Sequence, residues 1–310
     1  VAGYNDLALV YKEIIRMKTL RLSHLLPGIL VTFIWGLNFT AIKIGLDGIP
    51  PVFLCFLRFF FSAFPAIFFV PRPEVPFSNV AVYGFVIFAC QFAFLFAGMH
   101  YGLSAGLASI VLQMQAFVTI ALSVIIMNER PLKSQLLGAA VAFAGIVIIG
   151  VYAGGDISVL GLVLVFLAAV AWGSGNMIAR SIGMVNILAL VVWASLFATL
   201  PLGLLSLFVE GRAEISSAIM HMDWLSAGAV FYLAYPATVF GYAVWSDLIT
   251  RYPAATVAPL SLCVPVFGLA CASALLGEPL PFWKIGAVLL VLFGLVINLF
   301  ASRLKQGNIV

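Results

Sequence analysis

Charge is what this chain most conspicuously lacks. Only 8% of its 310 residues are Asp, Glu, Lys or Arg, against about 25% in soluble domains, so it cannot clothe a water-facing surface. Histidine is equally scarce. His24, His100 and His221 all fall near the ends of apolar runs, which leaves no buried His/Asp cluster, zinc motif or Ser/His dyad for a membrane-embedded enzyme. The four cysteines, Cys55, Cys90, Cys263 and Cys271, sit inside apolar segments without metal-like spacing and read as small buried hydrophobes. Long polar stretches are missing as well. The widest gap between apolar runs, 210–222, is barely a dozen residues, too short for a soluble catalytic or regulatory domain. A channel would want charged rings or a continuous polar stripe, and neither is present. This reading requires no cofactor and no metal, gives no patch for nucleic acid, and leaves the oligomeric state open, a monomer included.

What the chain has in abundance is apolar sequence. Hydrophobic residues make up 64%, in runs of about 20, the length that crosses a hydrocarbon core of about 30 Å. In lipid every backbone amide must be satisfied internally, so such runs are helices. Alternating ten-residue segments, the mark of a β-barrel, are not seen. The expected fold is an all-α polytopic membrane protein with ten spans: 25–46, 51–70, 78–99, 102–127, 132–152, 158–179, 186–209, 223–246, 253–276 and 282–302. Residues 1–16 precede Met17, differ in character, and are set aside as an extension of upstream or non-native origin.

Lys and Arg near span ends set orientation. With a cytoplasmic N-terminus, the inside holds Lys12, Arg16, Lys18, Arg21, Arg72, Arg130, Lys133, Arg180, Arg251, Arg303 and Lys305. The outside holds Lys43, Arg212 and Lys284, and Arg58 lies within a span. Without the extension the count is nine against three. Both termini are expected in the cytoplasm, in a cell's inner membrane.

The chain also resembles itself at an offset of about 140–150 residues. Trp35-Gly36-Leu37-Asn38 is echoed by Trp172-Gly173-Ser174-Gly175-Asn176, and Ala105 by Ala254. Glu129 precedes Gly145 by sixteen residues, and Glu278 precedes Gly294 by sixteen. The units are expected at 17–152 and 153–304, with a tail at 305–310. Five spans per unit is an odd number, so the second unit enters the membrane upside down. Inverted repeats of this kind place a substrate site near the midplane and rock about it.

At these residues the chain resembles the EamA branch of the drug/metabolite transporter superfamily. Stretches such as WGLNF at 35–39, AFPAIFFV at 63–70, QFAFLF at 91–96, GLASIVLQMQAF at 106–117 and VAPLSLCVPVFGLA at 257–270 look most like its bacterial exporters of cysteine and O-acetylserine. Exporters of aromatic amino acids share the fold. The resemblance implies ten helices and efflux of amino acids or related small metabolites, and brings no catalytic residues.

Polar groups at depth are the candidate site, because they are costly in lipid and face a cavity or another helix. Asn38 and Asn176, beside Trp35 and Trp172, read as a pseudo-symmetric pair lining a cavity, or as interhelical hydrogen bonds. Gln91, Gln113 and Gln115 supply uncharged donors and acceptors. On one regular helix Gln113 and Gln115 project about 200° apart, so only one of them faces the cavity. Arg58 reads as a carboxylate anchor or, with more weight, as a snorkelling or helix-end brace, since Leu-Arg-Phe recurs among relatives with unlike substrates. Tyr235 and Tyr242, seven apart, are expected on one helix face. Pro259 and Pro265 are expected gate or kink positions, and Gly102 with Gly106 a close-packing pair.

Asp47, Glu74, Glu129, Asp156, Asp223, Asp247 and Glu278 all fall at span ends or loops. With no acid at depth a proton relay has no obvious carrier, so facilitated export down the substrate gradient is expected. Efflux of aromatic cations through a Trp- and Tyr-rich cavity is the rival, and the missing acid counts against it.

Overall fold

A computed structural model describes residues 22–152, 158–252 and 254–307. The extension at 1–16, the basic residues Lys18 and Arg21, and Asp156 lie outside the described residues. Among the described residues ten helices are long and apolar enough to cross a membrane: α1 (His24–Leu46), α2 (Pro51–Phe68), α3 (Phe77–His100), α4 (Ala105–Met127), α5 (Lys133–Tyr152), α6 (Val159–Ile182), α7 (Ile187–Val209), α8 (Trp224–Arg251), α9 (Ala258–Leu276) and α10 (Phe282–Phe300).

Their starts follow from local chemistry. Pro51 opens α2, where its missing N–H is one the helix would leave unbonded anyway. Ser104, Ser158, Asn186 and Asp223 accept from the backbone N–H three residues on, a cap worth about 1 kcal/mol each. Two expectations are corrected here. Gly102 lies in the turn before α4 with φ of 102°, so it makes no helical packing pair with Gly106. The stretch 210–222, expected as a loop, holds the helix Gly211–Met220. A further helix, Ala254–Val257, leads into α9.

Packing repeats with inversion. Helix α1 packs along α8 and α9, while α6 packs along α3 and α4. Helices α2 and α7 pack on each other, and α5 pairs with α10. Glycine sets these distances. A Cβ on Gly36 of α1 would stand 2.5 Å from Phe267 Cβ of α9, and one on Gly173 of α6 would stand 2.7 Å from Val118 Cγ1 of α4. In the α5–α10 seam, Gly138 lies against the Gly294 carbonyl, and Gly145 against that of Ala287. In lipid, where no hydrophobic force drives helices together, such close backbone approach is a main source of association.

Neither half is regular at depth. Helix α3 carries a π-helical segment at Gly84–Cys90, and α8 carries one at Tyr235–Phe240. Helix α4 tightens into a 3-10 turn at Leu112–Met114, and α9 opens with one at Ala258–Leu262. Irregular helix at membrane depth persists where neighbours or a cavity satisfy the freed backbone groups.

Candidate functional site

Arg58 lies on α2 and is only 3% exposed. Its Nη1 donates to Asn38 Oδ1 of α1 at 2.8 Å, and its Nε donates to Thr238 Oγ1 of α8 at 3.2 Å. Thr238 sits in the π segment and itself donates to the Leu233 carbonyl. The guanidinium carbon stands 4.2 Å from the centre of the Phe92 ring on α3, a cation–π contact. No carboxylate among the described residues pairs with it. Arg58 therefore neither snorkels nor caps a helix end; it ties α1 and α2 of the first half to α8 of the second.

One side of the guanidinium remains unused. Nη2 makes no hydrogen bond to a described residue, and neither do the side-chain amides of Gln91 and Gln113, residues 3% and 9% exposed. Among the described residues, Thr40 Oγ1 is the one fully enclosed side-chain polar atom without a partner. The three unpartnered tips, outside that fully enclosed set, each keep some accessible surface. A buried polar group without a partner is expensive, which makes each a candidate to meet a ligand.

Aromatic rings join these groups. Phe59 stacks on Phe88 and meets Phe92 edge-on; Phe88 meets Tyr242, which packs on Trp35, which packs on Trp245. Trp35 Nε1 donates to the Ala237 carbonyl in the π segment of α8 at 2.9 Å.

The two asparagines do not share one cluster. Asn38 serves Arg58, whereas Asn176 Nδ2 on α6 donates to Gln115 Oε1 at 2.8 Å and Thr119 Oγ1 at 3.1 Å on α4. Gln115 is thus the glutamine that bonds a neighbouring helix, and Gln113 is the one left open. The 3-10 turn between them also voids the regular-helix spacing assumed for the pair. The tyrosines are separated similarly: the π segment shifts the phase between Tyr235 and Tyr242, so they do not share a face. Tyr235 reaches toward the Phe64 carbonyl at 3.5 Å, while Tyr242 joins Trp35. Trp172 is partly buried against the core, Pro259 lies in the 3-10 turn opening α9, and Pro265 is buried in the helix that follows.

The two ends of the bundle differ. At one end, Glu278 Oε1 accepts from Ala105 N at 2.7 Å, and Oε2 accepts from Gly106 N at 3.2 Å and from Lys284 Nζ at 3.1 Å. Glu210 accepts from Val52 N and Phe53 N at 2.6 and 2.9 Å, and from Ser206 Oγ at 2.7 Å. Two second-half carboxylates therefore hold the positive N-termini of two first-half helices. Burial pushes the Glu210 carboxyl above its ordinary pKa, against the lowering effect of its Ser206, Val52 and Phe53 hydrogen bonds. Every residue from Ala105 to Met114 is buried. Beyond it only Phe117 and Ser123 of Gln115–Met127 are buried, as this part of α4 packs on α6 rather than α9. Residues Ala258–Leu262 of α9 include no buried one. That end carries the Arg180–Glu129 and Arg251–Asp247 ion pairs, with Glu129 half-buried and the other three residues exposed.

Glu210 escaped the sequence reading, and Glu278 was placed there only at a span end. The signal was available in part: both follow a helix end closely and could reach a partner's first turn. An apolar groove of about 630 Å³ runs along the α5–α10 pair, lined by Ile148, Leu289, Leu292 and Phe293; it lies away from the polar cluster and presents nothing polar to a metabolite.

Fold and site together define a multi-pass membrane protein built of two inverted halves with a polar cluster at their joint. The chain belongs to the EamA-like transporter family, whose model matches residues 22–151 and again 159–300; it is a transporter and not an enzyme. It is 43% identical over 284 residues to a "probable amino-acid metabolite efflux pump" of Salmonella typhimurium, covering 90% of this chain and 95% of that protein. An Escherichia coli protein of the same description is 41% identical over 285 residues, with the same coverage. A crystal structure at 18% identity superposes with a TM-score of 0.57, covering 92% of this chain and all of the other, a likeness of fold.

Proposed function

We propose that this transporter exports amino acids and related small metabolites, of the cysteine and O-acetylserine kind, across a cell's inner membrane by alternating access. The observation that carries the reading is Arg58: a buried guanidinium without an acid partner among the described residues, at the joint between the halves, with Nη2 unbonded. A substrate carboxylate supplies the missing anion in bidentate or single-bonded form. Asn38 and Thr238 position the guanidinium; Gln91 and Gln113 offer donors and acceptors to the rest of the substrate; Trp35, Tyr242 and Trp172 wall it. Asn176 and Gln115 line the approach between α4 and α6, Tyr235 borders the first half, and Pro259 and Pro265 are the points at which α9 flexes.

The basic residues favour cytoplasmic termini. The end clasped by Glu210 and Glu278 then faces outward, and the looser end between α4 and α9 faces the cytoplasm, where an exporter loads. The halves 17–152 and 153–304 move as units about the site. With no acid at depth, transport runs down the substrate gradient. The relatives described as amino-acid metabolite efflux pumps support the substrate class, and a buried cation at the centre disfavours aromatic cations.

The test is growth. Expressed in a sensitive bacterium, the chain is expected to protect against excess of some amino acids or derivatives, and Arg58→Gln to abolish the protection at equal membrane abundance. Protection against cationic dyes alone would overturn the proposal.

A further inference from the structure

Resting on the alternating access proposed above, we infer that Glu129 is the counterpart of Glu278: when the end carrying Glu129 closes, its carboxylate takes the backbone N–H groups of Ala254 and Ala255, so that two glutamates latch opposite ends in turn.

The closed latch is present at the other end. Glu278, between α9 and α10, accepts from Ala105 N at 2.7 Å and Gly106 N at 3.2 Å, the first donors of α4. A helix start has unbonded N–H groups and a positive dipole end, so a second-half carboxylate seated there ties the halves together. Each part of this latch recurs at an offset of 149 residues. Helix α4 runs from Ala105 to Met127. The helical stretch 254–276 has the same length, formed by Ala254–Val257, Ala258–Leu262 and Cys263–Leu276 without a break. Each stretch stops at a left-handed residue, Asn128 or Gly277. A glutamate follows each, and its own N–H returns to a carbonyl six residues back at 3.3 Å, Glu129 to Ser123 and Glu278 to Ala272. The same cap therefore delivers both glutamates to the same place beyond a helix end.

Glu129 is held more loosely in this structure. It pairs with Arg180 of α6 at 2.6 Å, with side chains 33% and 53% exposed, a contact that little free energy maintains. Gln135, which stands where Lys284 stands in the other unit, accepts from Leu132 N and supplies no cation. Alternating access rocks one unit against the other, and because the units are inverted copies, the state open at the opposite end mirrors this one. The start of the 254–276 stretch then meets Glu129 as the start of α4 now meets Glu278. Its chemistry suits that partner. Ser104 caps α4 with its own hydroxyl, whereas Pro253 precedes Ala254 and has no side-chain acceptor, which leaves that turn to an outside carboxylate. The second latch is the weaker one. A Cβ on Gly106 would stand 3.0 Å from Glu278 Oε2, and Ala255 carries that Cβ, so Ala254 is the better donor of the two.

Alkylation of single cysteines reads which end is open. In a chain whose four native cysteines are alanine, the reporters are Leu269→Cys, beside Gly106 of α4, and Ile120→Cys, its counterpart at the same offset. Purified protein in detergent is treated with a polar maleimide, which reaches both ends. Glu129→Gln removes the latch, so alkylation at position 269 should slow about tenfold, the effect of losing hydrogen bonds to a charged acceptor. Glu129→Asp, too short to bridge, should act in the same direction and serves if the first variant misfolds. Arg180→Gln frees Glu129 and should act in reverse, quickening position 269 about threefold without quickening position 120. The opposite signs are the key, because a merely structural ion pair loses the same contact from either side. Shifts of one sign at position 269, no shift, or a rise at both positions with Arg180→Gln overturn the latch while alternating access stands. A position 269 that reacts in no variant, Glu278→Gln included, overturns both.

Discussion

The two halves of this transporter agree in backbone and disagree in side chains. Both third helices carry a π segment, at Gly84–Cys90 and Tyr235–Phe240, and both fourth helices a 3-10 turn, at Leu112–Met114 and Ala258–Leu262. Both fourth helices end on a left-handed residue: Asn128 at φ 54° returns its N–H to Ser123, and Gly277 at φ 69° to Ala272. These are the two residue types that tolerate the left-handed C-terminal position best, and each is followed by a glutamate. Yet Glu278 is largely covered by the N-terminus of α4 and Lys284, while Glu129 pairs with Arg180 at a more open position. Arg58, Gln91 and Gln113 belong to the first half, and the second half answers with Thr238 and Tyr242. Under the proposed alternating access, backbone symmetry would let either end open by the same motion, and side-chain asymmetry would confine binding to one set of groups.

Substitutions at equivalent positions break or sharpen that contrast. The largest difference is expected at the ion pairs. Glu278→Gln strands Lys284, 4% exposed, and should cost about 3–5 kcal/mol, whereas Arg180→Gln at the exposed pair should cost under about 1 kcal/mol; thermal unfolding in detergent measures both. Next come the glycines. Gly36→Ala drives a methyl onto Phe267 Cβ and the Gly268 backbone N at 2.8 Å, while Gly173→Ala meets the side chain of Val118. About 3 kcal/mol is expected for the first and about 1–2 kcal/mol for the second, and equal losses would deny that the α1–α9 contact is the tighter one. The asparagines should differ less. Asn38→Ala removes a hydrogen bond from a buried charge, about 2 kcal/mol with loss of transport, and Asn176→Ala removes neutral bonds worth about 1 kcal/mol. The smallest effect is pH dependence at Glu210. Its folded pKa is raised, so the stability it contributes is full below the unfolded carboxylate range and is lost as pH rises through the folded value. Unfolding temperature followed upward from about pH 4 should show that decline in the parent and a flatter profile in Glu210→Gln.

Much of the fold was legible because it depends on composition over long windows. Run length and the ban on unsatisfied amides in lipid determine ten helices without reference to any one residue, and Trp35-Gly36 against Trp172-Gly173 exposes the repeat. The site was legible in its residue types and not in its partners. Asn38 and Asn176 look equivalent in sequence, but Asn38 meets a residue twenty positions away and Asn176 one sixty-one away. Tyr235 and Tyr242 were placed on one face by a 3.6-residue period that the π segment interrupts. The clasp between Glu210 and Val52 spans 158 residues, and no local pattern announces it. The stretch 210–222 suggested a loop because it is short and polar by the standard of its neighbours, though Gly211–Met220 is helical.

The π segments bear on how such a chain tolerates insertion and deletion. A π turn is what one added residue leaves behind when a helix absorbs it without lengthening. Gln91 and Gly241 are the first residues beyond the two segments, with Tyr242 next. Removing a single residue from Gly84–Cys90 would restore α-helical bonding and leave Gln91 facing as it does, whereas removing one from the regular helix before it would swing everything beyond by about 100°. The π segment thus marks the place on α3 where the chain can lose one residue without turning the buried Gln91 out of the interior.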